Sequence, residues 1–478
     1  MTSQIHLNAF AMSTPTHQSP GLWRHPQSQA DRYLDLEYWT DLAKLLERGG
    51  FDALFLADVL GVYDVYGNSS APALRDADQV PLNDPFLAVS AMAAVTERLG
   101  FAVTAALTYE QPYALARKFS TLDHLTKGRI GWNIVTSYLE SAARNLGLGR
   151  QIGHDDRYDV ADEFMDVVYK LWEASWDEGA VIKDRAAGVY TDPSKVHPIN
   201  HVGRHFEVPG LHLSEPSIQR TPALFQAGAS SRGRAFGANH AEGIFINGIR
   251  PDLTRKSTDA TRDALEAAGR GRQDAKIYAL VTAIVADSDA EAERLHREYL
   301  EYASLEGALT LYGGWSGLDL AGVPSDEELE YLDTNAARSA LSIFTTADPQ
   351  RRWTTAEVGR YLGIGGIGPV LVGSAETVAD EVERWIDEGG LDGINLAHAI
   401  TPGSYEQFID LVVPELRKRG RVPERPHGTT LREHLAGEGA THLAAPHPGA
   451  AYRGSLSGGP SAADSAASLT PEAVLGVS

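Results

Sequence analysis

The chain has 478 residues, no cysteine, 43% hydrophobic and 22% charged residues, and a formal net charge of −22. That composition describes a large globular protein and excludes disulfides, thiolate nucleophiles and sulfur-ligated metals. The acidic balance speaks against nucleic acid or an anionic membrane as partner. No apolar run reaches transmembrane length, and the opening MTSQIHLNAF lacks the pattern of a signal peptide, so a cytoplasmic location is expected.

Taken in chain order, short apolar or β-branched runs predict strands over 4–10, 52–57, 100–107, 128–136, 222–228, 243–247, 276–286 and 392–398. Amphipathic helical patterns such as YLDLEYWTDLAKLLER and DVADEFMDVVYKLWEA lie between most of them. Eight βα repeats predict an α/β fold, a (β/α)₈ TIM barrel. A doubly wound sheet fits eight repeats less well. The barrel is expected to occupy residues 1–420. Two stretches interrupt the alternation, 177–221 (rich in Pro, His and Gly) and 305–375 (carrying YGGWSGLDL), and both read as insertions that wall a pocket. Residues 421–478 turn to Gly, Ala, Ser, Pro and His, and predict an extended or disordered tail or an arm laid over a partner subunit.

Chemistry concentrates where strands end. In FQAGASSRGRAF (225–236) an apolar run passes directly into a helix start. Ser230 and Ser231 stand where free helical N–H groups begin, and Arg232 and Arg234 add positive charge, which suits a phosphate. Serine is also simply a good N-cap, and that reading stays open. His154 and Tyr158 in HDDRYDVADEF are one helical turn apart and can donate to the same anion. Asp58, Thr104, Asn133, Thr136, Ser137 and Tyr138 end other strands, polar but without a catalytic triad. Residues 128–169 contain no lysine, which rules out a Schiff base on the fourth strand. GIGGIG (363–368) matches a dinucleotide fingerprint, yet a helical pattern precedes it and Pro369 follows, so it reads as a turn. His197, His201, His205 and His212 lie among Pro and Gly rather than on a helix, so no metal is expected. A non-redox barrel lyase or isomerase acting on a phosphorylated substrate would use the same phosphate seat.

HQSPGLWRHP, FDALFLADVLGVYDVYG, VPLNDPF, STLDHLTKGRIGWNIVTSY, HDDRYDVADEF, HFEVPG and FQAGASSRGRAF together resemble the bacterial-luciferase-like flavin monooxygenases. The resemblance runs from about residue 4 to 435. It is nearest to the branch acting on nitrilotriacetate, dibenzothiophene sulfone and long-chain alkanes. ALRDADQVPLNDPF, LYGGWSGLDL and GGIGPVLVG resemble the subfamily that oxidises dimethylsulfide. Alkane-oxidising relatives are expected to carry a histidine ahead of YGG and a cysteine near the first strand. Leu311 and Thr14 stand there instead. A riboflavin-cleaving lyase of the same fold is a further alternative.

The resemblance implies a barrel that holds FMN, used as FMNH₂ supplied by a separate NADH:flavin reductase, with O₂ as co-substrate and a small apolar or sulfur-containing substrate. It implies FMN contacts at Asp58, Thr104, Ser137, His154, Tyr158, Ser230 and Ser231, with the phosphate near His154, Tyr158 and Ser230. His17, Tyr63 and Tyr138 are the candidates for stabilising or protonating the activated oxygen, each also readable as packing or capping. A homodimer or homotetramer is expected.

Overall fold

The computed structural model describes residues 4–228, 230–329, 343–346 and 351–463. Its first four strands are β1 (His6–Met12), β2 (Ala53–Ala57), β3 (Gly100–Ala106) and β4 (Ile130–Val135). Two small antiparallel hairpins follow, β5 (Val181–Asp184) with β6 (Val189–Thr191) and β7 (His201–Val202) with β8 (Glu207–Val208). The remaining strands are β9 (Ala223–Gln226), β10 (Gly243–Ile246), β11 (Lys276–Val285), β12 (Val370–Gly373) and β13 (Gly393–Ala397).

The sheet runs β10-β9-β4-β3-β2-β1-β13-β11, and β10 also pairs with β11, so eight parallel strands close into a barrel. Each overlaps one of the eight runs expected from the sequence. β12 is a ninth strand outside the closure, paired with Thr282–Val285 at the far end of the long β11. Closure places Phe10, Phe55, Phe225 and Phe245 together in the lumen, with the Phe55 and Phe245 rings 4.3 Å apart. The lumen is therefore a packed core, and the open space lies at its ends. Outside it, helices bury one stripe each. In Leu36–Gly49 the stripe is Trp39, Leu42, Ala43 and Leu46, and the helix stops at Gly50 in the left-handed conformation (φ 77°).

The 177–221 stretch forms the two hairpins. From the 305–375 stretch, the helices Leu305–Ser316 and Thr355–Leu362 build a second apolar cluster with Tyr63, Leu139 and Trp315. GIGGIG joins the second of these helices to β12, with Gly365 and Gly366 at positive φ. The order helix–turn–strand is the reverse of a dinucleotide fingerprint.

The expected tail needs correction. Residues 421–463 pack against the barrel, and 464–478 lie outside the described residues. The helix Leu431–Ala436 inserts Leu431 and Leu435 among Phe55, Phe225 and Tyr278 at the N-terminal end of the strands. Arg432, almost wholly buried, donates to Glu242 and to the carbonyls of Thr221 and Pro222. Further along, Arg453 pairs with buried Glu173, and the amide of Ala462 donates to the Val196 carbonyl at 2.7 Å. A few anchors suffice to dock a segment whose average composition is that of a loop.

Candidate active site

At the C-terminal end of the strands lies a cavity of about 330 Å³, lined by Asp58, Ser137, Tyr138, His154, Tyr158 and Ser230 among others. A second chamber of about 300 Å³ adjoins it, sharing Asp58, Val59, Leu60 and Ala106 and reaching Thr104. A larger polar cavity lies at the opposite end, under the C-terminal segment, where barrel residues serve stability.

One end of the 330 Å³ cavity gathers groups that suit an anion, although His154 Nδ1 there meets the Asp155 carboxylate at 2.7 Å. Ser230 caps the helix Ser231–His240, its hydroxyl accepting from the Gly233 amide at 3.0 Å. Tyr158, one turn after His154, meets its ring at a tilt with centroids 5.4 Å apart and is buried. A Cβ on Gly233 would sit 2.6 Å from the Tyr158 hydroxyl, and one on Gly228 would sit 3.0 Å from it. These glycines let the phenol reach into the loop beside the helix N-terminus, where backbone donors and the helix dipole favour negative charge. Burial raises the Tyr158 phenol above its ordinary value, partly offset by hydrogen bonds to Thr136 and Ser230 and by Arg157 and Arg232, so it stays a neutral donor.

Two expectations at this end change. Ser231 is the first helical residue, exposed and outside the cavity lining. Arg232 contacts Asp159 and Asp162 and lies over the Tyr158 ring at 5.6 Å, so its charge serves the helix pair.

Asp58 lies between the two chambers. Burial, with the charges of Asp84 and Glu110 nearby, pushes its carboxyl up to about 7. Thr104 is buried on β3, and its hydroxyl accepts from Asn133 Nδ2 at 2.8 Å. It borders the second chamber rather than the first. Ser137 follows β4 with φ 59°, a left-handed backbone uncommon outside glycine that aims the turn at the cavity.

Of the three candidate catalytic residues, Tyr138 lines the cavity, whereas Tyr63 and His17 do not. Tyr63 is fully buried behind it, 2.6 Å from the Tyr138 hydroxyl. His17 sits behind Phe10, ring to ring at 4.3 Å, and 6.4 Å from His398. Burial and the neighbouring His398 hold its imidazole well below the ordinary value, so it is neutral at physiological pH. Sequence reasoning missed Gln79 and Trp315, which join the Tyr63 cluster, and the apolar walls Phe10, Leu280 and Ile367. Trp315 was visible in YGGWSG, but nothing in QVPLNDP marks Gln79. The histidines of the hairpin region go to separate partners, His197 to Asp177, His201 to Glu163 and His212 to Ser120. Among the described residues, no group of three or more ligating side chains is placed to hold a metal.

Residues 9–393 match the luciferase-like monooxygenase family. The chain belongs to that family. This luciferase-like monooxygenase is 56% identical to the dimethyl-sulfide monooxygenase of Hyphomicrobium sulfonivorans, over 97% of each chain. The crystal structure of DmoA from Hyphomicrobium sulfonivorans superposes with a TM-score of 0.91 at 55% identity, covering 98% of this chain and all of the other. It is also 47% identical to the long-chain alkane monooxygenase of Geobacillus thermodenitrificans, over 95% of this chain and 99% of that one. A riboflavin lyase crystallised with modified FMN and riboflavin aligns at 36% identity and a TM-score of 0.88, covering 94% and 99% of the two chains.

As a luciferase-like monooxygenase the protein works with reduced flavin and O₂. Its residues fit a flavin mononucleotide, with a glycine-lined anion cradle at one end of the cavity and apolar walls at Phe10, Ile134, Leu280 and Ile367 for a flat ring. No described helix is long and apolar enough to cross a membrane.

Proposed function

We propose that this chain is the oxygenase component of a two-component system, in which a separate NADH:flavin reductase supplies reduced FMN. The substrate we infer is a small thioether such as dimethyl sulfide, converted to a thiol and an aldehyde. The observation that carries this reading is the 56% identity to a dimethyl-sulfide monooxygenase over 97% of both chains. A small cavity walled by Phe10, Leu280, Trp315 and Ile367 agrees with it. We further infer a homodimer or homotetramer acting in the cytoplasm.

His154, Tyr158 and Ser230 hold the phosphate, while Asp58, Thr104 and Ser137 lie toward the ring. Bound reduced FMN supplies the electrons that activate O₂, and that chemistry belongs to the cofactor. The chain's task is to keep water out, which the apolar walls do, and to hold the thioether carbon in reach. One oxygen atom inserted into a C–H bond beside sulfur leaves a hemithioacetal, which breaks into methanethiol and formaldehyde. The second oxygen atom leaves as water. His17, neutral and buried, offers a ring N–H or a lone pair but holds no surplus proton at neutral pH.

The test is turnover with NADH, FMN, a flavin reductase and dimethyl sulfide. Formaldehyde and methanethiol are expected when all are present. Strong NADH oxidation by the isolated chain would contradict the two-component reading. Consumption of a long alkane or of riboflavin, with dimethyl sulfide untouched, would replace the substrate.

A further inference from the structure

Four side chains at the cavity wall form a hydrogen-bond chain whose direction is set by its ends. Gln79 Nε2 donates to the His17 backbone carbonyl at 2.9 Å. A carbonyl only accepts, and the reversed amide would set two oxygens against each other, so the Gln79 orientation is determined. Gln79 Oε1 therefore faces the Tyr63 hydroxyl, 2.8 Å away, and takes its proton. Trp315 Nε1, which only donates, reaches the same hydroxyl at 3.1 Å. Tyr63 has one proton, already committed to Gln79. The Tyr138 hydroxyl, 2.6 Å from Tyr63, must then be the donor between the two phenols.

Both phenols keep their protons at neutral pH. Burial pushes Tyr138 up to about 12 and raises Tyr63 well above the ordinary value. Gln79 is itself buried and held at φ 52°, with its backbone N–H donating to the Thr16 carbonyl, so the anchor is rigid. Tyr138 lines the cavity, and its proton is turned away into the wall.

We propose that Tyr138 meets the bound flavin as a hydrogen-bond acceptor for a flavin N–H, and that Gln79 is the positioning residue that sets this polarity. This replaces the expectation of Tyr138 as a resident proton donor, and it rests on the reading of the cavity as the flavin chamber. Turning the Tyr138 proton into the cavity would break its bond to Tyr63, and Tyr63 could not replace a proton given up there, because its own is held by Gln79 Oε1.

The test places 3-fluorotyrosine at position 138 and measures FMN affinity by fluorescence titration below the ionisation of the fluorinated phenol. Fluorine makes the phenol a better donor and a poorer acceptor. FMN binding is expected to weaken about two- to tenfold, as it should in Tyr138→Phe. Tighter or unchanged binding would overturn the proposal. In a Gln79→Met background the Tyr63 proton is released to Tyr138, whose own proton can then turn into the cavity against the flavin N–H, so FMN binding is expected to weaken about two- to tenfold even without fluorine. Wild-type FMN affinity in Gln79→Met would remove Gln79 from its role. Neutron diffraction on deuterium-exchanged crystals without flavin gives an independent readout. The Tyr138 deuteron is expected on the line to Tyr63, and a deuteron directed into the cavity would overturn the assignment. Should the wild-type chain bind no FMN, the flavin reading fails, while the neutron result still decides the direction of the chain.

Discussion

Arg432 and Glu242 face each other beneath the barrel through two contacts of 2.6 and 3.0 Å, one from each of two guanidinium nitrogens to each carboxylate oxygen. Arg432 is 1% exposed and Glu242 9%. Removing one partner of such a pair strands a buried charge. Glu242→Gln should therefore lower stability by about 3–5 kcal/mol, read as a fall in the urea midpoint with an unchanged slope. Truncation before Leu431 should be worse, because it also uncovers Phe55, Phe225 and Tyr278. A truncated chain as stable as the full one would show that the segment is dispensable.

Ser230 and His154 give the second prediction. Ser230→Ala with His154→Ala should weaken FMN binding by about 2–5 kcal/mol through lost hydrogen bonds to the phosphate. Riboflavin, which lacks the phosphate, should bind the double variant and the wild type alike. Ser230→Ala alone should also cost about 1 kcal/mol of stability, since its hydroxyl caps the helix. Equal losses for both flavins would move the phosphate elsewhere.

Gly233 tests the cradle. The Cβ of Gly233→Ala would press on the Tyr158 hydroxyl, so stability should fall by about 1–3 kcal/mol together with FMN affinity. Adding Tyr158→Phe removes the oxygen that is struck. Thermal stability should then recover in part while FMN affinity does not. Recovery of both would mean that the hydroxyl serves packing alone.

Asp58 gives a pH dependence with a defined sign. Its carboxyl is raised to about 7, because burial and the nearby Asp84 and Glu110 disfavour the charge. The folded state therefore holds this proton more tightly than the unfolded chain does. The stability gained is fully present below the ordinary carboxyl value and is lost as pH rises to about 7. Asp58→Asn, which mimics the protonated form, should raise the Tm at pH 8 and change it little at pH 4. A variant less stable at pH 8 would reverse the sign and show that the carboxylate is stabilised in place.

The barrel strands were legible because each is a short apolar run flanked by amphipathic helix, the pattern that a parallel sheet buried on both faces imposes. β12 was not, since VLVG sits in a glycine-rich stretch and pairs with one end of a single neighbour. The 421–463 segment was misread because composition averages over length, while docking depends on Leu431, Arg432 and Leu435. The structure brings Ser230, His154 and Tyr158 to the lining of one cavity, and a helix start is where such donors concentrate in a sequence. Ser231 could not be separated from Ser230, since adjacent positions at a cap point apart only once the helix is placed. Gln79 was invisible because its role comes from a carbonyl sixty-two residues away in the chain.

The most direct measurement is a paired titration of the pure chain with FMN and riboflavin, each oxidised and reduced. Saturable binding of FMN at one site per chain is predicted, tighter than riboflavin by the strength of the phosphate contacts. Absence of FMN binding in both redox states, or indifference to the phosphate, would contradict a flavin nucleotide held at this mouth by its charged end.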